Sequence, residues 1–238
     1  MNNIIEFSFM YETFFDMLEF IPMTLFLAIT SMLLACMIGL CGAIIRVRNI
    51  PILKELVTIY LLLGRAIPTM VLLYLVYFGV PIVLLIFTEK TGISTGFQYI
   101  PPLLFAVIGL TLHTGAYVTE IFRAAILSVD KWQMEAALSI GMTWRQGFKR
   151  IVIRQAAVFA IPLLANTFLN LIKSTSIVFT ITVIELLGGA KIACAENYRY
   201  LETYLVVAII YWLLCIVFEK IFRFVEHSLN FLRKGAAL

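Results

Sequence analysis

Four ionisable side chains stand inside, or at the edges of, long uncharged stretches of this chain: Arg65, His113, Glu120 and Lys173. Such groups are costly at membrane depth, so they tend to face a protein interior or a wet cavity. Asn166, Asn170 and Lys173 follow one another at helical spacing and share a face, with Ser174 next in the chain. These residue types support non-covalent chemistry: pairing with a charged solute, or relaying a proton along Glu120, His113 and Lys173. Plainer readings stay open for each. Arg65 can extend its head to an interface, Glu120 can pair with Arg123 at a helix end, His113 can be a hydrogen-bonded core residue, and Lys173 can sit at the outer interface. The sequence has no nucleophile–base constellation, His cluster or metal-ligand spacing, so no catalytic residue and no metal site is expected. Cys36, Cys41, Cys194 and Cys215 read as small packing residues. There is no Gly-x-x-x-x-Gly-Lys-Ser/Thr phosphate loop, and Gly188-Gly189-Ala190-Lys191 is only a superficial echo of one.

The elements that must carry these groups follow from composition. Hydrophobic residues make up 62% of the 238 and charged residues 13%. A soluble domain has about 45–50% apolar and about 25% charged residues. A bilayer is therefore the natural solvent. The net charge of +4 is modest and lies in short basic clusters, which points to a topology signal and away from nucleic acid. The segment before residue 20 carries Glu6, Glu12, Asp16 and Glu19 and no Lys or Arg, so a cleaved signal peptide is not expected.

A crossing helix needs roughly 20 apolar residues. The uncharged stretches predict an all-α, polytopic membrane protein forming a single domain over 1–238. Its five transmembrane helices are expected near 20–45, 66–88, 100–122, 155–175 and 201–222, with a cytoplasmic loop over 124–154. Residues 52–64 are too short to cross and read as interfacial or as an extension of the second span. Residues 174–185 lengthen the fourth span or re-enter the membrane. Breaks at Pro68 and Pro162 are expected to expose polar groups, as broken helices do at transport sites. Tyr74, Tyr77 and Phe78 read as packing or gate residues.

Basic residues set the orientation. Arg46, Arg48 and Lys54, the group from Arg123 to Arg154, and Lys220, Arg223, Arg233 and Lys234 all fall on one side if there are five crossings. Lys90, Lys191 and Arg199 fall on the other. This places the N-terminus outside and the C-terminus in the cytoplasm.

The loop between the third and fourth spans reads as two helices. Asp130 caps the first, with Gln133 at the return position of a capping box. Gly141 stops it, and Thr143 with Gln146 caps the second. Met134, Ala137, Leu138 and Gly141 form one face of small and apolar residues. Such a face suits a groove in another protein or an anionic lipid surface.

These residues carry a resemblance. Glu135-Ala136-Ala137, then Gly141, then Ile151-Val152-Ile153 resembles the EAA loop of bacterial ATP-binding-cassette (ABC) importer permeases, which commonly have Leu-Pro where this chain has Ile153-Arg154. Three further segments resemble the polar amino acid branch of that family. Gly64 to Thr69 is similar to its Arg-Gly-Thr-Pro segment, with Ala66 in place of Gly and Ile67 before Pro68. Gly115 to Arg123 is similar to its Ala-Tyr-x-x-Glu-Ile-x-Arg segment. Leu171 to Ser176 is similar to its Leu-Lys-Asp-Thr-Ser segment, with Ser174 in place of Asp.

The resemblance implies a type I ABC importer permease fold and a division of labour. Two ABC ATPase subunits would bind ATP and Mg and dock on Glu135, Ala136, Ala137 and Gly141. A second permease chain, identical or sister, would complete the pathway in the membrane lipid. An external solute-binding protein would deliver an amino acid across the bacterial inner membrane. Lys173 would meet the substrate carboxylate, and Asn170, Glu120 or backbone carbonyls its ammonium, with Asn166, Ser174 and Arg65 on the same pathway. The segment Glu185 to Lys191 has some similarity to permeases for cystine and related sulfur compounds. No dominant acidic patch in the spans argues for a purely cationic substrate. A secondary amino-acid transporter acting without an ATPase is the alternative. Five helices are few for one, and no internal repeat is evident.

Overall fold

A computed structural model describes residues 6–93, 96 and 99–235; within 229–235 only the backbone is described. The described residues form helices joined by short turns, with no strand among them. A short helix, α1 (Phe7–Leu18), precedes α2 (Ile21–Val47). After a tight corner come α3 (Leu53–Ala66) and α4 (Thr69–Thr91). The next helix, α5 (Pro102–Leu127), leads into a small α6 (Lys131–Ser139) and a single turn, α7 (Trp144–Gly147). A π-turn over Phe148–Val152 then feeds α8 (Ile153–Ser174) without interruption. A 3₁₀ stretch (Thr175–Ile181) continues α8, and α9 (Leu186–Asn197) and α10 (Tyr200–Gly235) complete the chain.

Five helical runs are long and apolar enough to cross a bilayer: Ile21–Val47, Thr69–Thr91, Pro102–Leu127, Trp144–Ile181 and Tyr200–Ser228. These correspond to the five expected. The bounds differ in detail because helices outlast their apolar cores. Residues 124–127, expected in the loop, finish α5.

The ambiguous segments resolve through backbone chemistry. Residues 53–66 are a separate helix. It stops because the residue before a proline avoids the helical region, and Ile67 is extended with φ −82° and ψ 129° ahead of Pro68. Proline at 162 does not break α8, which runs intact from Ile153 to Ser174. Its missing donor and ring are accommodated within a long helix already packed on its neighbours. After the 3₁₀ stretch the chain turns at Thr182, which takes a left-handed φ of 67°. Residues 94, 95, 97 and 98, between α4 and α5, lie outside the described residues, as do the side chains of Arg233 and Lys234.

The most enclosed crossing is α5. In its most apolar window 61% of residues are buried, against 11% for α4 and 17% for α10. Its closest neighbour is α2, and small residues set the approach. A Cβ on Gly39 would lie 2.7 Å from Val118 Cγ1 and 3.0 Å from the Thr119 amide nitrogen. Close backbone contact of this kind is how helices associate where lipid supplies no hydrophobic drive. One core joins Leu27, Leu73, Phe105, Leu110, Phe168 and Ile172, with Tyr74 and Tyr77 against it. A second core, with Met17, Leu186, Ala190, Val206 and Ile210, holds α1 and α9 on α10. A third, with Ala125, Val129, Val152 and Ala156, lies under the loop between α5 and α8.

Candidate functional site

The loop after α5 folds as a helical hairpin. Asp130 accepts a hydrogen bond from the Trp132 amide at 3.0 Å and so caps α6. Gln133 does not complete a capping box. Its side-chain oxygen instead accepts from Gln155 Nε2, tying α6 to α8. At the other end of α6, the Gly141 amide reaches the Leu138 carbonyl at 3.0 Å and the Met142 amide reaches Ala137 at 3.1 Å. This is a Schellman closure, which needs a left-handed residue, and Gly141 supplies it with φ 84°. Thr143 and Gln146 form the expected capping box, with bonds of 3.3 and 2.9 Å.

The hairpin divides the expected docking face. Ala137 is only 2% exposed. A Cβ on Gly147 would meet Met134 Sδ at 2.8 Å and Ala137 Cβ at 3.3 Å. Met134 and Ala137 therefore pack inward on α7, because the second helix folds back over them. Glu135, Ala136, Leu138 and Gly141 point outward, joined by Trp132 and Ile140, which are 74% and 78% exposed. Neighbouring exposed apolar side chains such as Trp132, Leu138 and Ile140 suit a contact surface.

Within the membrane part, the polar residues fall into separate groups. Glu120 is held by two guanidiniums: Arg46 Nη1 lies 2.6 Å from it, and Arg123 donates from Nε and Nη2. This staples the end of α2 to α5. Arg65 is exposed, with its guanidinium carbon 5.8 Å from the centroid of Tyr117. His113 lies 5.2 Å from the same ring and shares a 3.0 Å hydrogen bond with Thr69 Oγ1. The Arg65–Tyr117–His113–Thr69 group thus surrounds the break at Ile67-Pro68.

The third group is the stripe on α8. Asn166, Asn170 and Lys173 are all exposed, and no carboxylate pairs with Lys173 among the described residues. The Ser174 hydroxyl is occupied, donating to the Asn170 carbonyl at 2.9 Å. No contact brings Glu120 or Arg65 to this stripe. No group of three metal-ligating side chains occurs among the described residues.

One buried group was not singled out from sequence. Glu185 is fully buried at the start of α9. Its carboxylate accepts from the Leu187 and Gly188 amides at 2.8 and 3.1 Å, from Tyr211 Oη at 2.7 Å and from Thr24 Oγ1 at 3.3 Å. Thr24 Oγ1 in turn accepts from the Leu186 amide at 3.2 Å. Neutral donors alone satisfy this carboxylate. The signal available was a lone acidic residue between a turn and an apolar helix start, where an N-cap acceptor is favoured.

Comparison with known proteins agrees with this architecture. Residues 35–230 match the family described as binding-protein-dependent transport system inner membrane component. The probable amino-acid permease YxeN of Bacillus subtilis is 40% identical over 96% of this chain and 97% of its own length. The L-cystine transport system permease TcyL of the same organism is 36% identical over 89% of this chain and 86% of its own. A crystal structure of an amino acid ABC transporter with histidines superimposes with a TM-score of 0.79 at 30% identity, covering 94% of this chain and 99% of that one. Five apolar crossings, a helical hairpin between the third and fourth of them, and these matches lead to one conclusion: the chain belongs to the binding-protein-dependent transport system inner membrane components, as an ABC importer permease of the polar amino acid branch.

Proposed function

We propose that this permease carries cystine or another polar amino acid inward across a bacterial inner membrane, with its N-terminus outside and its C-terminus in the cytoplasm. Two ABC ATPase subunits hold the ATP and Mg and drive the cycle; a solute-binding protein outside delivers the substrate. A second permease chain, identical or sister, completes the pathway. The observation that carries this reading is the α6 hairpin. It presents Trp132, Glu135, Ala136, Leu138 and Ile140 outward while being tied to α8 through Gln133–Gln155 and packed on α7 through Met134 against Gly147. A push on this surface has a stiff route into the membrane. The distribution of basic residues supports the orientation, and the L-cystine permease among the relatives supports the substrate class.

The α8 stripe supports a substrate route distinct from the Glu120 staple. Lys173 offers an unpaired ammonium for a carboxylate, and Asn170 and Asn166 offer amide oxygens for an ammonium group. Glu120 already serves Arg46 and Arg123, so its part is to hold α2 on α5. Arg65 stands at the entrance formed by the α3–α4 break.

Co-purification in detergent with co-expressed ATPase subunits tests the reading. Wild type is expected to retain an ATPase, and Glu135→Lys and Gly141→Val to lose it. If no ATPase binds wild type, and the chain alone moves substrate in liposomes, a secondary transporter replaces this reading.

A further inference from the structure

The segment after the docking hairpin is held by more than the helix it leads into. Trp144 opens α7 and stacks on Phe148, with ring centroids 4.7 Å apart and planes 14° apart. Arg48 sets its guanidinium carbon 4.2 Å from the centroid of a Trp144 ring. Nothing in the sequence brings these residues together; they lie at the end of α2 and the start of α7.

Arg48 occupies a corner that resists bending. Asn49 and Ile52 take φ of 56° and 66°, left-handed values that only a well-determined surrounding sustains in residues other than glycine. The turn is closed by the Ile50 amide on the Ile45 carbonyl at 3.1 Å and the Lys54 amide on the Ile50 carbonyl at 3.0 Å. Two residues before Arg48, Arg46 is fixed to Glu120 of α5. The α2–α3 corner is therefore bound on one side to the most buried helix and on the other to the coupling segment.

The geometry points to Arg48 as a positioning residue for coupling. With Trp144 and Phe148 it forms a strut that carries motion of the hairpin to α2 and α5, in parallel with the path along α8. A cation over an aromatic face is attracted by the ring quadrupole. A flat guanidinium stacks there while an ammonium contacts it only as a point charge. The strut rests on the reading of this loop as the ATPase-coupling element. It acts after docking, since Arg48 and Trp144 lie outside α6.

The test is the amount of substrate taken up per ATP hydrolysed, measured in proteoliposomes with the partner ATPase and binding protein. Arg48→Ala is expected to retain the ATPase and to hydrolyse ATP, yet to lose several-fold in transport per ATP, with Arg48→Lys between it and wild type. A short bifunctional thiol reagent joining Arg48→Cys to Trp144→Cys, in a background without other cysteines, is expected to restore the ratio. Unchanged transport per ATP in Arg48→Ala overturns the strut. So does a cross-link that stops transport, because the contact would then have to break in each cycle. Loss of the ATPase from Arg48→Ala would assign Arg48 to docking and also overturn it. Failure of wild type to bind any ATPase would overturn the coupling reading itself, and the strut with it.

Discussion

Glu185 and Lys173 are both ionisable residues among apolar helices, and their surroundings assign them opposite tasks. Glu185 has every contact filled by Tyr211, Thr24 and two backbone amides, and it is sealed from solvent. Removing one donor from such a site leaves a buried acceptor short, at a cost of about 1–3 kcal/mol. Lys173 is exposed and has no carboxylate partner among the described residues. Tyr211→Phe is therefore expected to lower the Tm of the purified protein while leaving substrate affinity unchanged. Lys173→Ala is expected to do the reverse, keeping the Tm and losing uptake. Thermal unfolding and transport measured on the same preparations separate the two, and uptake at the wild-type rate in Lys173→Ala would remove it from the pathway. The sequence displayed Lys173 openly, because a lone cation beside two asparagines at helical spacing is a visible pattern. Glu185 was hidden. Its partners Thr24 and Tyr211 are distant in the chain, and only the packing of α2, α9 and α10 assembles them.

At the scale of elements, apolar runs and proline and glycine punctuation made most helices legible. Gly141 and the Thr143–Gln146 box were readable because caps are local chemistry. Gln133 was misjudged for a tertiary reason: Gln155, on another helix, competes for the side chain that a local rule would assign to the backbone. The first helix was not legible as an element, since acidic residues interrupt its apolar face. It is fastened at one end by an ion pair between Glu6 and Arg199, and Arg199 also lies 4.8 Å from the Phe9 ring centroid. The hydrogen bond and charge of Arg199, aided by Ser8, hold the Glu6 carboxyl below its usual range. A depressed carboxyl contributes above its unfolded value, about pH 4.3, and loses that contribution as pH falls through its folded value. Hydrogen exchange of the α1 amides is expected to quicken on acidification below about pH 4 beyond the intrinsic pH effect. In Glu6→Gln that additional change is expected to vanish. Equal pH dependence in the two proteins would show that the pair does not fasten α1.

For the whole molecule, the surface of the crossings sorts into apolar and polar parts. Helix α10 turns Trp212, Leu213 and Val217 outward, which suits acyl chains. Helix α8 turns Asn166, Asn170 and Lys173 outward, and polar side chains at that depth face water or another protein. The unaccompanied chain thus has a face unsuited to lipid, and a second permease chain is the partner that would enclose it. With the native cysteines replaced, Asn170→Cys is expected to cross-link between two copies in native membranes, and Leu213→Cys is not. Cross-linking through Leu213 alone would place the partner on the opposite side. Cross-linking through neither site would point to a sister chain in place of an identical one.

The π-turn at Phe148–Val152 bears on how the α6–α7 hairpin is aimed. An α-helix advances about 100° per residue, and a π-turn accommodates one residue more than the regular helix would. Removing a single residue from this turn would leave a continuous helix of ordinary hydrogen bonds. Because the extra residue is absorbed within the turn, the α6–α7 hairpin would then keep its bearing on α8, whereas a deletion from the regular part of α8 would wind it about 100° around the helix axis. Single-residue deletions in the regular turns of α8 are consequently a different class of lesion from substitutions: they preserve every side chain of the hairpin and change only its bearing. Loss of one residue is therefore expected to be absorbed at this turn and not in the α8 turns that follow it.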